Sequence, residues 1–387
     1  MPRIGLGTYM ASGKKVTNAV IWALELARLR LIDTAAIYRN GQEIAQALKQ
    51  VNKPRDSIFI TSKLSPYQMG TERALEGSRQ IMADLEVDYL DMMLIHWPGF
   101  AGVSPSSPLN RQMRIETWQV MERLYKQGKF KAIGVSNFEE RHLRDIIDNC
   151  EIKPMVNQIE VHPRFPNAEC RRACEKLGIV VQAYSSLGRG ELLRHPTVVR
   201  IAERHHHTPA QVLLRWALQL GCAVLPKSVH KEYILEFAED QLLTWSLSQH
   251  DMDELAHLAD GHKYEWDPRM VAFDRDGAGG DRALLQAYLG YLTGQLSTGP
   301  VYLELESWGE HSILGLGCFQ QASFLELLSP MLTALRLNDL HFRLGADEMA
   351  AIGQLRQLQE LEIRVGMNHD IGDFFEDAPE AVKAVDD

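Results

Sequence analysis

The sequence predicts a (β/α)8 TIM barrel for the larger, N-terminal part of the chain. Eight short runs rich in β-forming residues alternate with helical segments over about 230 residues, which suits this fold. Several runs are apolar throughout, without strict alternation, as the strands of a buried parallel sheet are. A doubly wound open sheet is the alternative. It usually has fewer strands and a glycine-rich turn after the first one, and no G-x-G-x-x-G motif follows the first run here.

The predicted strands and helices alternate along the chain. The strands are Ile4–Gly7, Leu31–Thr34, Ile58–Lys63, Tyr89–His96, Lys131–Ser136, Met155–Val161, Val180–Ser185 and Ala223–Lys227. Helical spacing of apolar residues is found in "NAVIWALELARL", "ERALEGSRQIMADL", "ETWQVMERLYKQG", "ERHLRDIID", "ECRRACEKLG" and "TPAQVLLRWALQLG".

A change in charge marks a domain boundary. Residues 276–387 hold 18 acidic and 6 basic residues, whereas the preceding part of the chain holds 33 acidic and 35 basic ones. The Gly/Asp-rich patch "FDRDGAGGDR" lies at the same point and is typical of a linker. We therefore predict a barrel over residues 1–272, a linker over 273–285, and an extension with an acidic tail over 286–387.

The extension carries a weak repeat. "LTALRLNDL" (Leu332–Leu340) and "LQELEIRVGM" (Leu358–Met367) begin 26 residues apart, and "VYLELES" (Val301–Ser307) resembles a degenerate earlier copy. The pattern is similar to leucine-rich repeats, which run about 20–29 residues each. We expect a small leucine-rich-repeat-like α/β unit that could bind a protein partner. An amphipathic strand–helix pair is the alternative.

Composition and residue spacing argue against a membrane protein, a nucleic-acid-binding protein and a metalloprotein. The five cysteines lack CxxC spacing, which favours a reduced, cytoplasmic protein. No apolar run is long enough to span a bilayer, and the acidic extension argues against nucleic acid. We expect no metal site either. "RHHHT" (Arg204–Thr208) has no Cys or carboxylate cluster nearby in the sequence, and the Cys170–Cys174 pair has no nearby His pair.

Four ionisable residues converge on one end of the predicted barrel. Asp33 ends the second strand and Tyr38 lies in the loop after it, while Lys63 and His96 end the third and fourth strands. The active site of a parallel barrel lies at this end. Singly, each residue has an ordinary structural explanation as a cap, a core residue or a solvated side chain. Their coincidence on one rim predicts a catalytic site.

The four residue types have a coherent chemistry. A Tyr hydroxyl is a poor acid at neutral pH, and a neighbouring ammonium should lower its pKa and ease proton donation. Lys63 could act in this way with Asp33 holding it, while His96 polarises a carbonyl oxygen. No side chain can supply a hydride, so a nicotinamide cofactor is implied.

The ordered motifs resemble those of the aldo-keto reductases. They are "GLGTY", "DTAAIY", "TSKL", "LIHWP", "AIGVSNF", "VNQIEVHP", "QAYSSLGRGEL" and "LPKSV", spread over residues 1 to about 270. The chain is similar to the short-loop aldehyde and ketone reductases, near the glyoxal and diketogluconate reductases. This resemblance implies a monomeric barrel, NADPH as cofactor, and proton donation by Tyr38 supported by Asp33, Lys63 and His96.

The resemblance also implies a set of cofactor-binding residues. The set is Gly7, Thr8, Tyr9, Asp33, Ser136, Asn137, Gln158, Tyr184, Ser185, Leu187, Gly190, Lys227, Ser228, Val229 and Glu236. In the family pattern, Ser136, Asn137 and Gln158 match the group that holds the nicotinamide carboxamide, and Tyr184 matches the ring that stacks on the nicotinamide. Strand-end capping and core packing are the alternatives for these residues.

The phosphate end of the cofactor site departs from the family pattern. The loop from Ser185 to Gly190 resembles the segment lying along the pyrophosphate, where glycine permits close backbone approach. Lys227 and Ser228 resemble the adenosine-phosphate contacts. Tyr233, however, stands where an Arg usually grips the 2′-phosphate, and Phe237 where an Asn is usual. NADPH is preferred on the strength of Lys227, with NADH use left open.

The remaining expectations concern the substrate pocket, the helix after Tyr38 and the start of the chain. Aromatic residues with His96 are expected to line the pocket: Tyr9, Trp97, Phe100, Tyr264 and Trp266. Gly41 and Ala45, which replace the usual Glu and Gly beside the Tyr38 loop, could loosen the helix there. The family's N-terminal β-hairpin is missing before "MPRIGLGT", so we expect reduced stability or an incomplete gene model.

The sequence thus predicts an NAD(P)H-dependent reductase of aldehydes or ketones. The alternative is a catalytically weakened barrel that serves as a scaffold for a protein-binding, leucine-rich-repeat-like tail. The complete Asp/Tyr/Lys/His set favours catalysis.

Overall fold

The computed structural model describes residues 1–101, 107–265 and 268, together with the backbone of four strands between 301 and 384. The chain divides into two compact units. The first comprises Met1–Phe100 and Ser107–Asp274, and the second comprises Ala101–Ser106 and Arg275–Asp387.

Eight parallel strands form the barrel of the first unit. They are β1 (Gly5–Gly7), β2 (Leu31–Asp33), β3 (Phe59–Leu64), β4 (Met92–Ile95), β5 (Ile133–Ser136), β6 (Val156–Glu160), β7 (Val180–Tyr184) and β8 (Ala223–Val224). Each strand pairs with the next in chain order. Parallel bridges from Ile4 to Val224 and from Gly7 to Lys227 join β8 to β1 and close the barrel. The predicted (β/α)8 barrel is confirmed.

Helices cover the outside of the barrel. They are α1 (Gly13–Ile21), α2 (Gly41–Gln50), α3 (Thr71–Asp84), α4 (Leu109–Lys126), α5 (Glu140–Ile147), α6 (Ala168–Leu177), α7 (Pro196–His205), α8 (Pro209–Gln219), α9 (Lys231–Leu235), α10 (Glu239–Leu242) and α11 (Gln249–Ala256). A π-helical turn, Trp22–Leu26, extends α1. Within the described part of the chain, no helix combines the length and apolar character needed to cross a membrane.

Capping residues and apolar faces explain where the helices begin and which side of them is buried. Helix α8 shows the pattern clearly: Thr208 accepts from the Gln211 amide in a capping box, and a proline occupies the first turn. Its apolar residues, including Val212 and Trp216, are buried against the barrel. The strands are buried along nearly their whole length because helices cover their outer face.

Some predicted strand ends were wrong. The fourth strand begins at Met92 instead of Tyr89, and the eighth ends at Val224 instead of Lys227. Lys63 is the second-last residue of β3, not its end, and His96 lies just beyond β4. Asp33 does end β2. These shifts of one to three residues leave all four side chains near the same end of the barrel.

The second unit contains a four-stranded parallel sheet. Its strands are β9 (Val301–Glu306), β10 (Leu332–Leu340), β11 (Glu360–Val365) and β12 (Val382–Ala384), in the order β12-β11-β10-β9. Leu335 of β10 pairs with Leu303 on one side and with Leu361 on the other. The three strands with the predicted repeat pattern are therefore neighbours with matching leucine positions. The predicted linker, residues 273–285, lies outside the described residues.

We predict that Gly134→Ala destabilises the barrel. A methyl group on Gly134 would lie 2.6 Å from the carbonyl oxygen of Val156 on the adjacent strand, and that backbone atom cannot move freely. Urea titration should show a loss of about 1–3 kcal/mol in the free energy of unfolding. The control is Gly77→Ala in α3, where the three atoms nearest to the added methyl group belong to the Gln68 side chain and not to backbone. Equal stability of the two variants would contradict the prediction.

Candidate active site

A buried ion pair lies at the centre of the site. The Lys63 ammonium donates to Asp33 Oδ1 at 2.6 Å and to the Thr34 carbonyl at 2.8 Å. The Lys63 side chain is completely buried, and that of Asp33 is 5% exposed. Gln158 Nε2 donates to the second Asp33 oxygen at 2.8 Å. Both carboxylate oxygens are thus hydrogen-bonded, which a buried charge requires.

The loop carrying Tyr38 is held in place by polar contacts. Tyr38 ends a short 3-10 turn, and Arg39 after it has a left-handed backbone with φ of 52°. Asn40 then fixes the loop, since its side-chain amide donates to the Thr8 and Ala11 carbonyls at 3.0 Å. Its oxygen accepts from the Thr34 hydroxyl at 2.7 Å. The chain between Asp33 and α2 is therefore fixed to the loop after β1.

Tyr38, Lys63 and His96 lie side by side. The Lys63 ammonium is 3.5 Å from the Tyr38 hydroxyl. The rings of Tyr38 and His96 meet edge to face, with centroids 5.7 Å apart. The structure therefore brings together all four residues that the sequence singled out.

Burial sets the protonation of this cluster. Burial, with Asp33 second, raises the pKa of Tyr38 well above its usual value. Burial lowers the pKa of Lys63, and burial together with Lys63 holds the pKa of His96 well below its usual range. The expectation that the pKa of Tyr38 is lowered was therefore wrong, because burial and the Asp33 carboxylate raise it. Tyr38 is a neutral phenol and His96 a neutral imidazole, so both can donate a hydrogen bond.

A second polar group extends the site across β5–β7. Asn137 donates to the His96 carbonyl at 2.9 Å and to the Ser136 hydroxyl at 3.2 Å. Its oxygen accepts from the Tyr184 hydroxyl at 2.5 Å. Gln158 also donates to Gln182 at 2.8 Å. These residues, predicted to hold the nicotinamide, are linked to one another and to His96 and Asp33.

Hydrogen-bond donors gather after β7 and β8. Ser185 and Arg189 follow β7, and both have left-handed backbone conformations, with φ of 51° and 49°. A Cβ on Gly190 would have nothing within 4 Å, so the backbone there is open to approach. After β8, the Lys227 side chain is exposed to solvent. Partial desolvation, and secondly the positive charge of the nearby Lys15, lower the pKa of Lys227. Loops after strands seven and eight commonly bind phosphate in such barrels. This donor set therefore fits the phosphates of a dinucleotide.

The other predicted cofactor residues have structural partners. The Glu236 carboxylate accepts from the Thr208 hydroxyl at 2.6 Å, at the start of α8. The Ser228 hydroxyl accepts from the His230 amide at 3.0 Å. Thr8 donates to the Asp33 carbonyl at 2.9 Å. Gly7 ends β1, Leu187 lies in the loop after β7, and Val229 lies in the loop after β8.

Two of the predicted pocket aromatics, Tyr9 and Trp97, lie beside Tyr38 and His96. The Tyr9 ring lies 5.1 Å from that of Tyr38, and Trp97 stacks on His96 at 6.4 Å. Phe100 contacts the Arg73 guanidinium at 5.1 Å. Trp266 lies outside the described residues. No group of His, Cys, Asp or Glu in the described ranges is arranged to hold a metal, and that search includes "RHHHT".

Sequence reasoning gave no role to the side chains of three charged residues near the site. Glu160 is buried at the end of β6, where it binds His162 at 3.0 Å and Lys263 at 3.3 Å. Arg189 and Glu265 form an ion pair at 2.9 Å beside Ser185. Glu160 could have been found, because it is two residues after Gln158 and so faces the same side of the strand. The contact of Glu265 with Arg189 could not be predicted from a sequence pattern, because 76 residues separate the two.

The barrel and its site define a class of protein. A neutral Tyr beside a buried Lys–Asp pair and a neutral His is arranged to protonate an oxygen, and the adjoining loops fit a dinucleotide, as in a nicotinamide-dependent oxidoreductase. A sequence model described as "Aldo/keto reductase family" matches residues 3–260. The chain belongs to the aldo/keto reductase family.

Similar proteins agree with this assignment. The glyoxal reductase of Bacillus subtilis (strain 168) is 39% identical, over 70% of this chain and 94% of its own. The crystal structure of MGS-M4, an aldo-keto reductase from a Medee basin deep-sea metagenome library, has a TM-score of 0.64 and 36% identity, covering 71% of this chain and 96% of its own. A Gox0644 variant in complex with NADPH has a TM-score of 0.63 and 34% identity, covering 70% and 95%.

We predict that Lys63→Met strongly destabilises the protein, because it leaves the Asp33 carboxylate buried without its cation. Urea titration should show a loss of about 3–5 kcal/mol in the free energy of unfolding. The double variant Lys63→Met/Asp33→Asn should recover part of this loss. Lys49→Met, which removes an exposed partner of Glu86, serves as the control and should change stability little. A small effect of Lys63→Met would contradict the structural role of the pair.

We predict that His96 makes stability depend on pH. The folded protein keeps His96 neutral, whereas the unfolded chain protonates it below about pH 6.5. The unfolded state then binds one more proton, so stability falls as pH decreases, by up to about 1.4 kcal/mol per pH unit for this residue. His96→Gln should flatten the dependence between pH 6.5 and 5, as measured by urea titration. Parallel curves for the two proteins would show that His96 is protonated in the folded state.

Proposed function

We propose that the protein is an NADPH-dependent reductase that converts aldehydes or ketones to alcohols, with Tyr38 as the proton donor. The observation that carries this proposal is the contact between the Tyr38 hydroxyl and Lys63, 3.5 Å apart, with Lys63 paired to Asp33. Family membership and the reductase activity named for the glyoxal reductase relative support the reaction class.

The chain's own groups would act on the carbonyl oxygen. The neutral His96 imidazole donates a hydrogen bond to that oxygen and polarises the carbonyl. A nicotinamide held beside these residues would supply the hydride for the carbonyl carbon. As negative charge grows on the oxygen, Tyr38 transfers its phenolic proton to it. The alcohol product thus receives one hydride and one proton.

Lys63 matters most after the proton has left Tyr38. The phenolate then carries a negative charge, and the ammonium 3.5 Å away offsets it. Asp33 and the Thr34 carbonyl fix the ammonium, so little reorganisation is needed when that charge appears. In the resting protein the same ammonium does not ionise Tyr38, which remains a proton source.

The cofactor would lie across the ends of β5–β8. Asn137, Gln158 and Tyr184 would hold the nicotinamide, and the loops carrying Ser185 and Lys227 would hold the phosphates. The NADPH complex of the similar Gox0644 variant supports this choice of cofactor. Tyr233 is 52% exposed, in the position that usually carries an Arg, so the preference for NADPH over NADH rests on Lys227.

We also propose that the barrel (1–272) and the extension (286–387) are separate domains joined by residues 273–285. The leucine-rich-repeat-like interpretation is supported by the parallel sheet, in which Leu303, Leu335 and Leu361 are aligned. Removal of residues 276–387 tests this division. Turnover should survive, and loss of a bound protein would assign the extension a binding role. The cytoplasmic location stays a prediction.

We predict that Tyr38→Phe abolishes carbonyl-dependent NADPH oxidation, because phenylalanine cannot donate a proton. Cofactor binding should be nearly unchanged, since the ring and its packing against Tyr9 and His96 are kept. Absorbance at 340 nm with a panel of aldehydes, ketones and dicarbonyls, glyoxal included, measures turnover with NADPH and with NADH. Tyr67→Phe, on a partly exposed tyrosine, is the matched control. Near-normal turnover by Tyr38→Phe would overturn the assignment.

A further inference from the structure

The Glu265 carboxylate occupies the donors of the β7 loop. Its Oε1 accepts from the Ser185 hydroxyl at 3.2 Å and from Arg189 Nε at 2.9 Å. Its Oε2 accepts from Arg189 Nη2 at 2.9 Å, which makes the ion pair bidentate. Planar, two-bond contacts of this kind are also how Arg recognises phosphate.

These donors lie where a phosphate group is expected. Loops after strands seven and eight of such barrels frequently bind phosphate, and Ser185 and Arg189 both follow β7. Glu265 also lies close enough to the reaction site to raise the pKa values of Tyr38 and Tyr184, although burial contributes more to both. The carboxylate therefore contacts the β7 loop directly and also acts electrostatically on the two tyrosines.

The segment carrying Glu265 is firmly attached to the barrel. The Tyr264 amide donates to the buried Glu160 carboxylate at 2.6 Å, and the Lys263 ammonium pairs with the other Glu160 oxygen at 3.3 Å. A Cβ on Gly188 would lie 2.9 Å from the Tyr264 ring, so this ring packs directly on the β7 loop. Glu265 is thus delivered to Ser185 and Arg189 by a fixed backbone.

We propose that Glu265 is a built-in anionic competitor of the dinucleotide cofactor. Its carboxylate holds Ser185 and Arg189, and the pyrophosphate takes these donors when the cofactor binds. This inference rests on the proposed function for the identity of the ligand and for the position of the pyrophosphate along the Ser185–Gly190 loop.

Charge explains why the competition lowers affinity. A pyrophosphate group brings negative charge to a place where Glu265 is already negative, and like charges repel. The carboxylate must also give up the Ser185 hydrogen bond and part of its contact with Arg189. Glutamine at the same position keeps the size and one acceptor oxygen but removes the charge.

Equilibrium binding of two probes tests the proposal. NADPH, followed by its fluorescence, and inorganic pyrophosphate, followed by calorimetry, are titrated without carbonyl substrate into the full chain. Glu265→Gln should lower both Kd values about three- to tenfold relative to the unaltered protein. The matched control is Glu254→Gln, since Glu254 also pairs with an Arg and its side chain is 16% exposed, against 18% for Glu265. This control should leave both Kd values unchanged.

A second variant separates competition from a structural role. When Glu265→Gln is added to Arg189→Gln, affinity should not increase over that of Arg189→Gln alone. The donor that Glu265 would release is no longer present in these variants. Circular dichroism verifies that each variant is folded, and Glu265→Ala repeats the test without the amide. Unchanged or weaker binding by folded Glu265→Gln and Glu265→Ala would overturn the proposal and show that the carboxylate only orders the loop.

The same titrations distinguish this inference from the proposed function. If the unaltered protein shows no carbonyl-dependent NADPH oxidation, the proposed function fails, while tighter pyrophosphate binding by Glu265→Gln would still support the competition. If turnover is normal and the Kd values do not change, the competition alone is wrong.

Discussion

The buried Lys63–Asp33 ion pair is the constraint on which the rest of the site depends. Two charges removed from water cost several kcal/mol each unless their remaining hydrogen-bonding capacity is filled. Here the Thr34 carbonyl and Gln158 fill it, at 2.8 Å each. Thr34 directly follows β2 and Gln158 lies in β6, so the barrel must close correctly before the pair is stable. This ion pair can therefore form only in the correctly closed barrel.

The same burial that makes the pair costly also sets the other protonation states. Away from water, Tyr38 resists losing its proton and His96 resists gaining one, so each is held in the state that donates a hydrogen bond. The ammonium contributes to the low pKa of His96, yet it does not overcome the desolvation of Tyr38. A site of this kind is prepared for charge that develops during the reaction, and it does not carry that charge at rest.

Most of the fold and the reactive end of the site could be predicted from the sequence, because both depend on local patterns. Apolar runs identified the strands, and parallel strands bring their carboxyl ends together, so Asp33, Lys63 and His96 could be grouped without coordinates. Strand ends were less predictable, as with β4 and β8, because the apolar pattern continues past the last ladder hydrogen bond. The direction of the Tyr38 pKa shift depends on burial, which a sequence does not quantify. Glu265 was missed because only the folded chain brings it to Arg189.

The two ends of the site therefore differ in whether their hydrogen-bond donors are already paired with an anion of the protein. At the reactive end, Lys63 would keep its contacts with Asp33 and Thr34 when a carbonyl binds, and Tyr38 and His96 would donate to the carbonyl oxygen. At the phosphate end, Arg189 and Ser185 are instead occupied by a carboxylate of the protein itself. Binding there is an exchange of one anion for another, whereas binding at the reactive end is an addition. It follows that sequence changes near residue 265 should act on cofactor affinity, and changes near residue 63 on turnover and stability, although both positions belong to one continuous rim of the barrel.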